Sequence, residues 1–445
     1  MKTRILIAAA CLSMAALGQT QVTPQRLDDQ AQGYARLGQF NGSVVVAVDG
    51  RTLLAKGYGM ANREWEIANA ADTKFRLGSI TKQFTGMAVL MLEQQGKLKV
   101  SDPVCSYVEA CPQTWKPITI HHLLTHTSGI PNFTGFPDYQ KTMMLASPPA
   151  ETLKRFRDKP LEFDPGTKHK YSNSGYVLLG HIIEKAAGQS YAAYIKQQIF
   201  TPLGMNDTGY DSPAEVLPKR AAGYTRAGSK LENAAYLDMS IPHAAGSMYS
   251  TALDLMLWDV ALRQGKLLTP ENYQRYFKPG IGDYAYGWNV QKRNGVEVIS
   301  HGGGINGFST TILRVPERKL VVVALSNLEQ SQVGRLGQDL LALALGREVE
   351  TPKAAAEVKV PVETLKQYVG EYVLSPAFIL TVTLEGDTLI TQATGQGKIA
   401  IYAKDEATFA PREFAAEIVF QRDASGKVTG LVLNQGGRKM PATRR

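Results

Sequence analysis

The sequence predicts an α+β domain followed by a small all-β barrel or sandwich. In the first domain an antiparallel sheet formed by both ends is flanked by helices and carries a helical subdomain. Three observations predict this. Strand-like runs stand at both ends of residues 25–345, helical spacing fills the stretch between them, and closely spaced β runs follow a Pro- and charge-rich break. A length of 445 residues suits two domains. Hydrophobic residues at 44% and charged residues at 20% give a globular composition, which excludes wholesale disorder, collagen and coiled coil. No apolar run reaches the ~18 residues of a spanning helix, which excludes a multi-span membrane protein.

The chain begins as an address. Met1-Lys-Thr-Arg4 is basic, Ile5 to Ala16 is a short apolar run, and Ala16-Leu17-Gly18 supplies small residues ahead of Gln19. This reads as a signal peptide over 1–18, so the protein is expected to be exported, to a periplasm or the extracellular space, with no transmembrane segment after leader removal. Cys11 raises a lipid-anchor alternative, but Ala8-Ala9-Ala10 lacks the aliphatic residue such a site uses.

Gly42 to Val48 and Arg51 to Lys56 flank Asp49-Gly50, a two-residue turn between β-rich runs, and predict a hairpin. Ser79 to Gln95 has no Pro and places Ile80, Phe84, Met87, Ala88 and Met91 at helical spacing, stopping at Gly96. Residues 176–200 read as a second long helix and 251–264, with Trp258, as a third. Strands return at Val296 to Ile299, Gly307 to Val315 and Leu320 to Leu325. Residues 346–360 read as a linker and 361–445 as the β domain, whose runs are separated by turns such as Glu385-Gly386-Asp387 and Asp423-Ala-Ser-Gly426.

The formal charge of +9 is dispersed after Lys2 and Arg4. With no basic stripe interleaved with aromatics, nucleic acid is not an expected partner. Once the leader leaves, Cys105 and Cys111 remain, six positions apart; in an oxidising compartment they are expected to form a disulfide that clips a loop.

Three short segments carry chemistry. In Ser79-Ile80-Thr81-Lys82 the i, i+3 spacing at a helix start lets the amine reach the hydroxyl. A Ser hydroxyl needs a base, and a Lys can serve only with a lowered pKa. The bland reading is a Ser N-cap beside an exposed Lys. Tyr171-Ser172-Asn173 offers a phenol and an amide for a peptide-like substrate; a packed Tyr and a capping Asn would look the same. His301-Gly302-Gly303-Gly304 follows a strand, and its glycines allow a substrate backbone to lie close; a plain glycine turn is the alternative. The overlapping Gly302-Gly-Gly304-Ile-Asn-Gly307 fits a dinucleotide fingerprint, but a strand and not a helix follows, so no cofactor is expected.

In this order and spacing, Ser79-x-x-Lys82, Tyr171-x-Asn173 and His301-x-Gly303 resemble the penicillin-recognising serine hydrolases, in particular the class C β-lactamase and D-Ala-D-Ala carboxypeptidase branch. His122-Leu-Leu-Thr-His-Thr-Ser-Gly129, Gly246-Ser-Met-Tyr-Ser-Thr-Ala252 and Tyr286-Gly-Trp288 match in style, and 361–445 resembles the β-rich appendage often fused to such enzymes. The resemblance implies Ser79 as acylated nucleophile and Lys82 with Tyr171 sharing the proton traffic. It implies Asn173, His301 and Gly303 at the substrate, and the N–H groups of Ser79 and Gly304 as oxyanion hole. Which of Lys82 and Tyr171 is the base stays open. His301 stands where β-lactamases of the branch mostly carry Lys, so a substrate carboxylate is held less firmly and esterase or peptidase activity is expected above β-lactamase activity.

No metal is expected. His122 and His126 have zinc-helix spacing, but Leu123 occupies the place of the acidic residue and Thr127-Ser-Gly129 ends any helix. Neither a G-x-S-x-G elbow nor a phosphate-binding P-loop occurs. The expected function is an exported acyl hydrolase acting on D-amino-acid peptides, esters or β-lactams, its small-molecule or peptide substrate including peptidoglycan-derived material. The alternative is a non-catalytic, penicillin-recognising binder that forms a slow adduct.

Overall fold

Alternation of side chains along the strands explains the layers. In a computed structural model that describes residues 22–227, 230–353, 358–411, 416–435 and 438–445, α1 (Pro24–Arg36) leads into the hairpin β1 (Gly42–Val48) and β2 (Arg51–Tyr58). Then come α2 (Thr81–Gln94), α3 (Asn173–Ala187) and α4 (Ala252–Arg263), followed by β3 (Asn289–Arg293), β4 (Val296–Ile305), β5 (Phe308–Val315), β6 (Leu320–Ser326) and α5 (Val333–Ala344). The sheet runs β3-β4-β5-β6-β1-β2, antiparallel throughout, with Gly42 opposite Ser326 and Val48 opposite Leu320. It is built from both ends of the domain, as the sequence predicts.

Val44, Val46, Val322 and Ala324 face α1 and α5. Val45, Ala47, Val321 and Val323 face the helices from the middle of the chain. Strands buried on both faces read as continuous apolar runs, which is how β1 and β6 appear. Helix α2 runs through the second core with residues 81–92 all buried. That is why Lys82 is withdrawn from water.

Four local expectations need correction. The helix expected from Ser79 begins as a 3₁₀ turn at Gly78–Ile80 and becomes α-helical at Thr81, because Gly78 holds φ +55°. The helix expected over 176–200 starts earlier, at Asn173, and breaks after Ala187: Gly188 takes φ +68° and Ser190 caps a new turn at Tyr191. The strand expected at 296–299 continues to Ile305, so the glycine triplet lies inside β4 and not in a turn. Part of the expected linker is pinned: Arg26 donates to the Val349 carbonyl and the Thr351 hydroxyl, at 2.6 and 3.2 Å. The leader, with Cys11, lies outside the described residues. Cys105 and Cys111 are joined, their Cα atoms 5.3 Å apart.

After α6 (Val362–Tyr368), eight strands close an antiparallel barrel, which decides between barrel and sandwich. They are β7 (Gly370–Ser375), β8 (Phe378–Glu385), β9 (Thr388–Ala393), β10 (Lys398–Ala403), β11 (Thr408–Pro411), β12 (Ala416–Arg422), β13 (Val428–Gln435) and β14 (Arg438–Arg444), and β14 pairs back with β7. No helix among the described residues is long and apolar enough to cross a membrane.

Candidate active site

The site lies where the 3₁₀ turn before α2 meets the N-terminus of α3 and the glycine-rich half of β4. One turn separates Ser79 from Lys82, and the Lys82 amine lies 3.1 Å from the Ser79 hydroxyl. The same nitrogen lies 2.9 Å from Asn173 Oδ1 and 2.8 Å from the Ala245 carbonyl oxygen. Burial drives the Lys82 pKa well below its ordinary value. Ala245 O and Asn173 Oδ1 only accept, so the amine donates to both, and its third position faces the Ser79 hydroxyl oxygen. Neither an exposed Lys nor a capping Ser describes this corner.

Tyr171 joins the same group. Its hydroxyl is hydrogen-bonded to Ser79, and its ring centre is 4.8 Å from Lys82 Nζ. Burial raises its pKa, with the Ser79 bond opposing, so the phenol keeps its proton at neutral pH. Asn173 opens α3; its backbone N–H donates to Asn132 Oδ1 at 3.1 Å and its side-chain amide to Thr134 at 3.3 Å.

The glycines of β4 fit against the serine turn by size alone. A Cβ on Gly78 would come within 3.0 Å of Gly304 N, and one on Gly303 within 2.0 Å of the Leu77 carbonyl oxygen and 2.3 Å of Thr310 Oγ1. Gly302 and Gly304 are exposed, so the strand presents backbone beside Ser79. Gly303→Ala is expected to push β4 off the turn, displace Gly304 and lower kcat/KM for an ester roughly 10²-fold, read by steady-state kinetics on folded protein.

His301 is placed differently from the expectation that it meets substrate. It is buried, Nδ1 donates to the Gly302 carbonyl at 2.5 Å, and Nε2 accepts from Tyr284 at 2.9 Å. A carbonyl only accepts, which fixes the proton on Nδ1. Burial, then the Lys82 charge, lower its pKa to about 4. Both ring nitrogens are committed within the chain, so this neutral ring braces β4 from behind.

Sequence reasoning gave His126 no role of its own: it stood as a failed metal ligand and inside the His122 to Gly129 segment that matches the family in style. In the structure its ring packs on Tyr171 with centres 4.2 Å apart and on Tyr284 at 4.7 Å, and its Nδ1 accepts the Ser172 N–H at 3.1 Å. Its buried, neutral ring therefore supports the phenol. Tyr284, Asn132, Thr134 and Ala245 were missed. Of these, Ala245 stands directly before the quoted segment Gly246 to Ala252, and Tyr284 two residues before Tyr286-Gly-Trp288.

The Beta-lactamase family matches residues 26–346, well over half the chain. The chain belongs to that family. This β-lactamase-family protein is a serine hydrolase. It is 30% identical to a penicillin-binding protein of Bacillus subtilis (strain 168), over 86% of this chain and 90% of the relative. Among solved structures it is similar to an octameric penicillin-binding protein homologue from Pyrococcus abyssi, with TM-score 0.66, 26% identity and coverage of 95% of this chain and 98% of that one. It is also similar to a D-stereospecific amidohydrolase from Streptomyces sp., with TM-score 0.62 and 26% identity over 71% of this chain and 97% of that one. Residues 354–443 match a domain of unknown function (DUF3471).

Proposed function

We propose that the protein is an exported hydrolase that cleaves esters and D-amino-acid amides or peptides through an acyl-enzyme on Ser79, with β-lactams as poorer substrates. The observation that carries this reading is the buried Lys82 amine, 3.1 Å from the Ser79 hydroxyl and held there by Asn173 Oδ1 and the Ala245 carbonyl. Ser79 Oγ bonds to the substrate carbonyl carbon while its proton passes to the Lys82 lone pair. The carbonyl oxygen takes negative charge and is met by the N–H groups of Ser79 and Gly304, each such donor lowering the barrier by roughly 3 kcal/mol. Collapse breaks the bond to the leaving group, which takes the Tyr171 proton; the Lys82 ammonium then returns a proton to the Tyr171 oxygen. Water repeats the cycle on the acyl-enzyme and releases the acid.

Asn173 orients both Lys82 and the substrate amide, and Gly303 keeps β4 against the turn. The similarity to a D-stereospecific amidohydrolase supports a D-amino-acid substrate. The buried, uncharged His301 supplies no permanent cation for a substrate carboxylate, which supports esters and amides over β-lactams. We place the leader at 1–18, the hydrolase domain at 25–345, the linker at 346–360 and the β domain at 361–445; the Cys105–Cys111 pair fits an oxidising compartment.

The test incubates the full chain with a short-chain aryl ester, a chromogenic cephalosporin and a fluorescent penicillin. Ester turnover above cephalosporin turnover, with the penicillin label on the peptide containing Ser79, is the expected result. A stable label without any turnover supports the binder reading, and neither signal removes both. The pH profile is a second check. Because the base is the neutral amine, kcat/KM rises as pH climbs through the lowered Lys82 pKa and then levels off, reaching its plateau at a lower pH than an ordinary lysine would. An unperturbed lysine would keep the rate climbing to about pH 10. The raised Tyr171 pKa keeps the phenol from adding a falling limb below that pH.

A further inference from the structure

The C-terminal barrel is packed unevenly. At one end aromatic rings fill the interior: Tyr368 stacks on Phe420 with centres 4.2 Å apart, and Tyr372 and Phe409 each lie 5.6 Å from Phe420. α6 closes that end, its last residue Tyr368 accepting the Tyr372 hydroxyl at 2.8 Å through its carbonyl. Beside this cluster, where Leu380 is the cross-strand partner of Tyr372 and Ile418 that of Phe409, the inward side chains are Phe378 and small or aliphatic residues, among them Leu380, Ala393, Ile401, Ile418 and Leu433. They leave a cavity of about 120 Å³.

Its described lining holds no charged side chain. Three residues are polar. Thr391 already donates to the Ile399 carbonyl at 3.3 Å, whereas Gln396, in the turn after β9, and Gln435, the last residue of β13, stand at the rim. The cavity opens between the exposed Gln396 and Gln435, and along its apolar walls a water finds few of the two to four polar partners it needs to settle. Apolar walls without neighbours lose their dispersion contacts, which an apolar guest restores. An eight-stranded barrel is the size at which the interior is either filled by its own side chains or holds one small ligand. Here the aromatic cluster follows the first course and the space beside it leaves room for the second.

We propose that the barrel cavity binds an uncharged apolar group, the end of an aliphatic chain or a ring of about six carbons, with the Gln396 and Gln435 amides meeting a polar head at the mouth. The size follows from comparison with apolar cavities of roughly 150 Å³, which take up benzene. The site shares no residue with Ser79, Lys82 and Tyr171, so it stands or falls separately from the hydrolase reading.

Xenon is the first reporter, in pressurised crystals of the full chain; 1-hexanol is the second, followed by saturation-transfer NMR in solution. Xenon density between Leu380, Ile401 and Leu433 is expected. Ala393→Phe fills the cavity, and Ala416→Leu fills it more gently should the first variant fail to fold. In a filled variant that keeps the parent's ester turnover and circular dichroism, the 1-hexanol signal is expected to fall at least about fivefold, because the free volume is gone. A barrel without xenon, or a 1-hexanol signal undiminished in a folded filled variant, overturns the proposal.

Discussion

Ser79→Ala is expected to lower ester turnover by roughly 10⁴-fold or more, the scale on which serine hydrolases lose rate when the nucleophile goes. The Ser79 hydroxyl is the one oxygen that both the Lys82 amine and the Tyr171 phenol face. Without it the base has no proton to accept and the carbonyl no atom to bond. The glycine strand and the buried amine remain, so ground-state binding survives and the loss falls on kcat. The fold is expected to survive too: Ser79 is half-buried and Lys82 keeps its bonds to Asn173 and Ala245. Steady-state kinetics with an aryl ester, beside a melting curve of the variant, checks the point. Activity within tenfold of the parent, in a purified and folded variant, removes Ser79 from the chemistry.

Asp259→Ala is expected to destabilise the first domain by about 3–5 kcal/mol without touching the site, the scale measured when one partner of a buried ion pair is removed. Asp259 lies on α4 and Arg314 on β5, each side chain 2% exposed, with Arg314 Nε 2.6 Å from one carboxylate oxygen. The other oxygen takes Arg263 at 2.9 Å. The Arg314 guanidinium sits 5.2 Å from the Phe277 ring centre and 5.5 Å from that of Trp288. Those rings offer it no carboxylate in place of Asp259, so alanine leaves a buried cation whose charge nothing balances. A fall in melting temperature of roughly 5–10 °C is expected, with kcat per folded molecule unchanged. Asp259→Asn, which keeps an accepting oxygen, is expected to lose less.

The residues that explain stability and those that explain chemistry were not equally legible. Val44 to Ala47 and Leu320 to Leu325 declare their strands because burial on both faces demands unbroken apolar runs. The Asp49-Gly50 turn declares the hairpin because few residues accept its backbone angles. Asp259 announced nothing: on a helix whose Trp258 marks the buried face, it reads as an ordinary surface acid until β5 brings Arg314 against it.

At the site, spacing of three residues was enough to pair Ser79 with Lys82, since one helical turn fixes that reach. The motif order carried the resemblance that added Tyr171, Asn173 and the glycine strand. The state of each group was another matter. Whether Lys82 is charged depends on the helices that exclude water from it, and whether His301 meets substrate depends on Tyr284, 17 residues before it in the chain. Protonation and orientation are set by which distant segments share a low-dielectric space, and that is a property of the assembled fold, not of any local pattern. The sequence by itself determined which groups are available; packing decided which of them are buried, which face one another and which, like His301, are committed behind the strand.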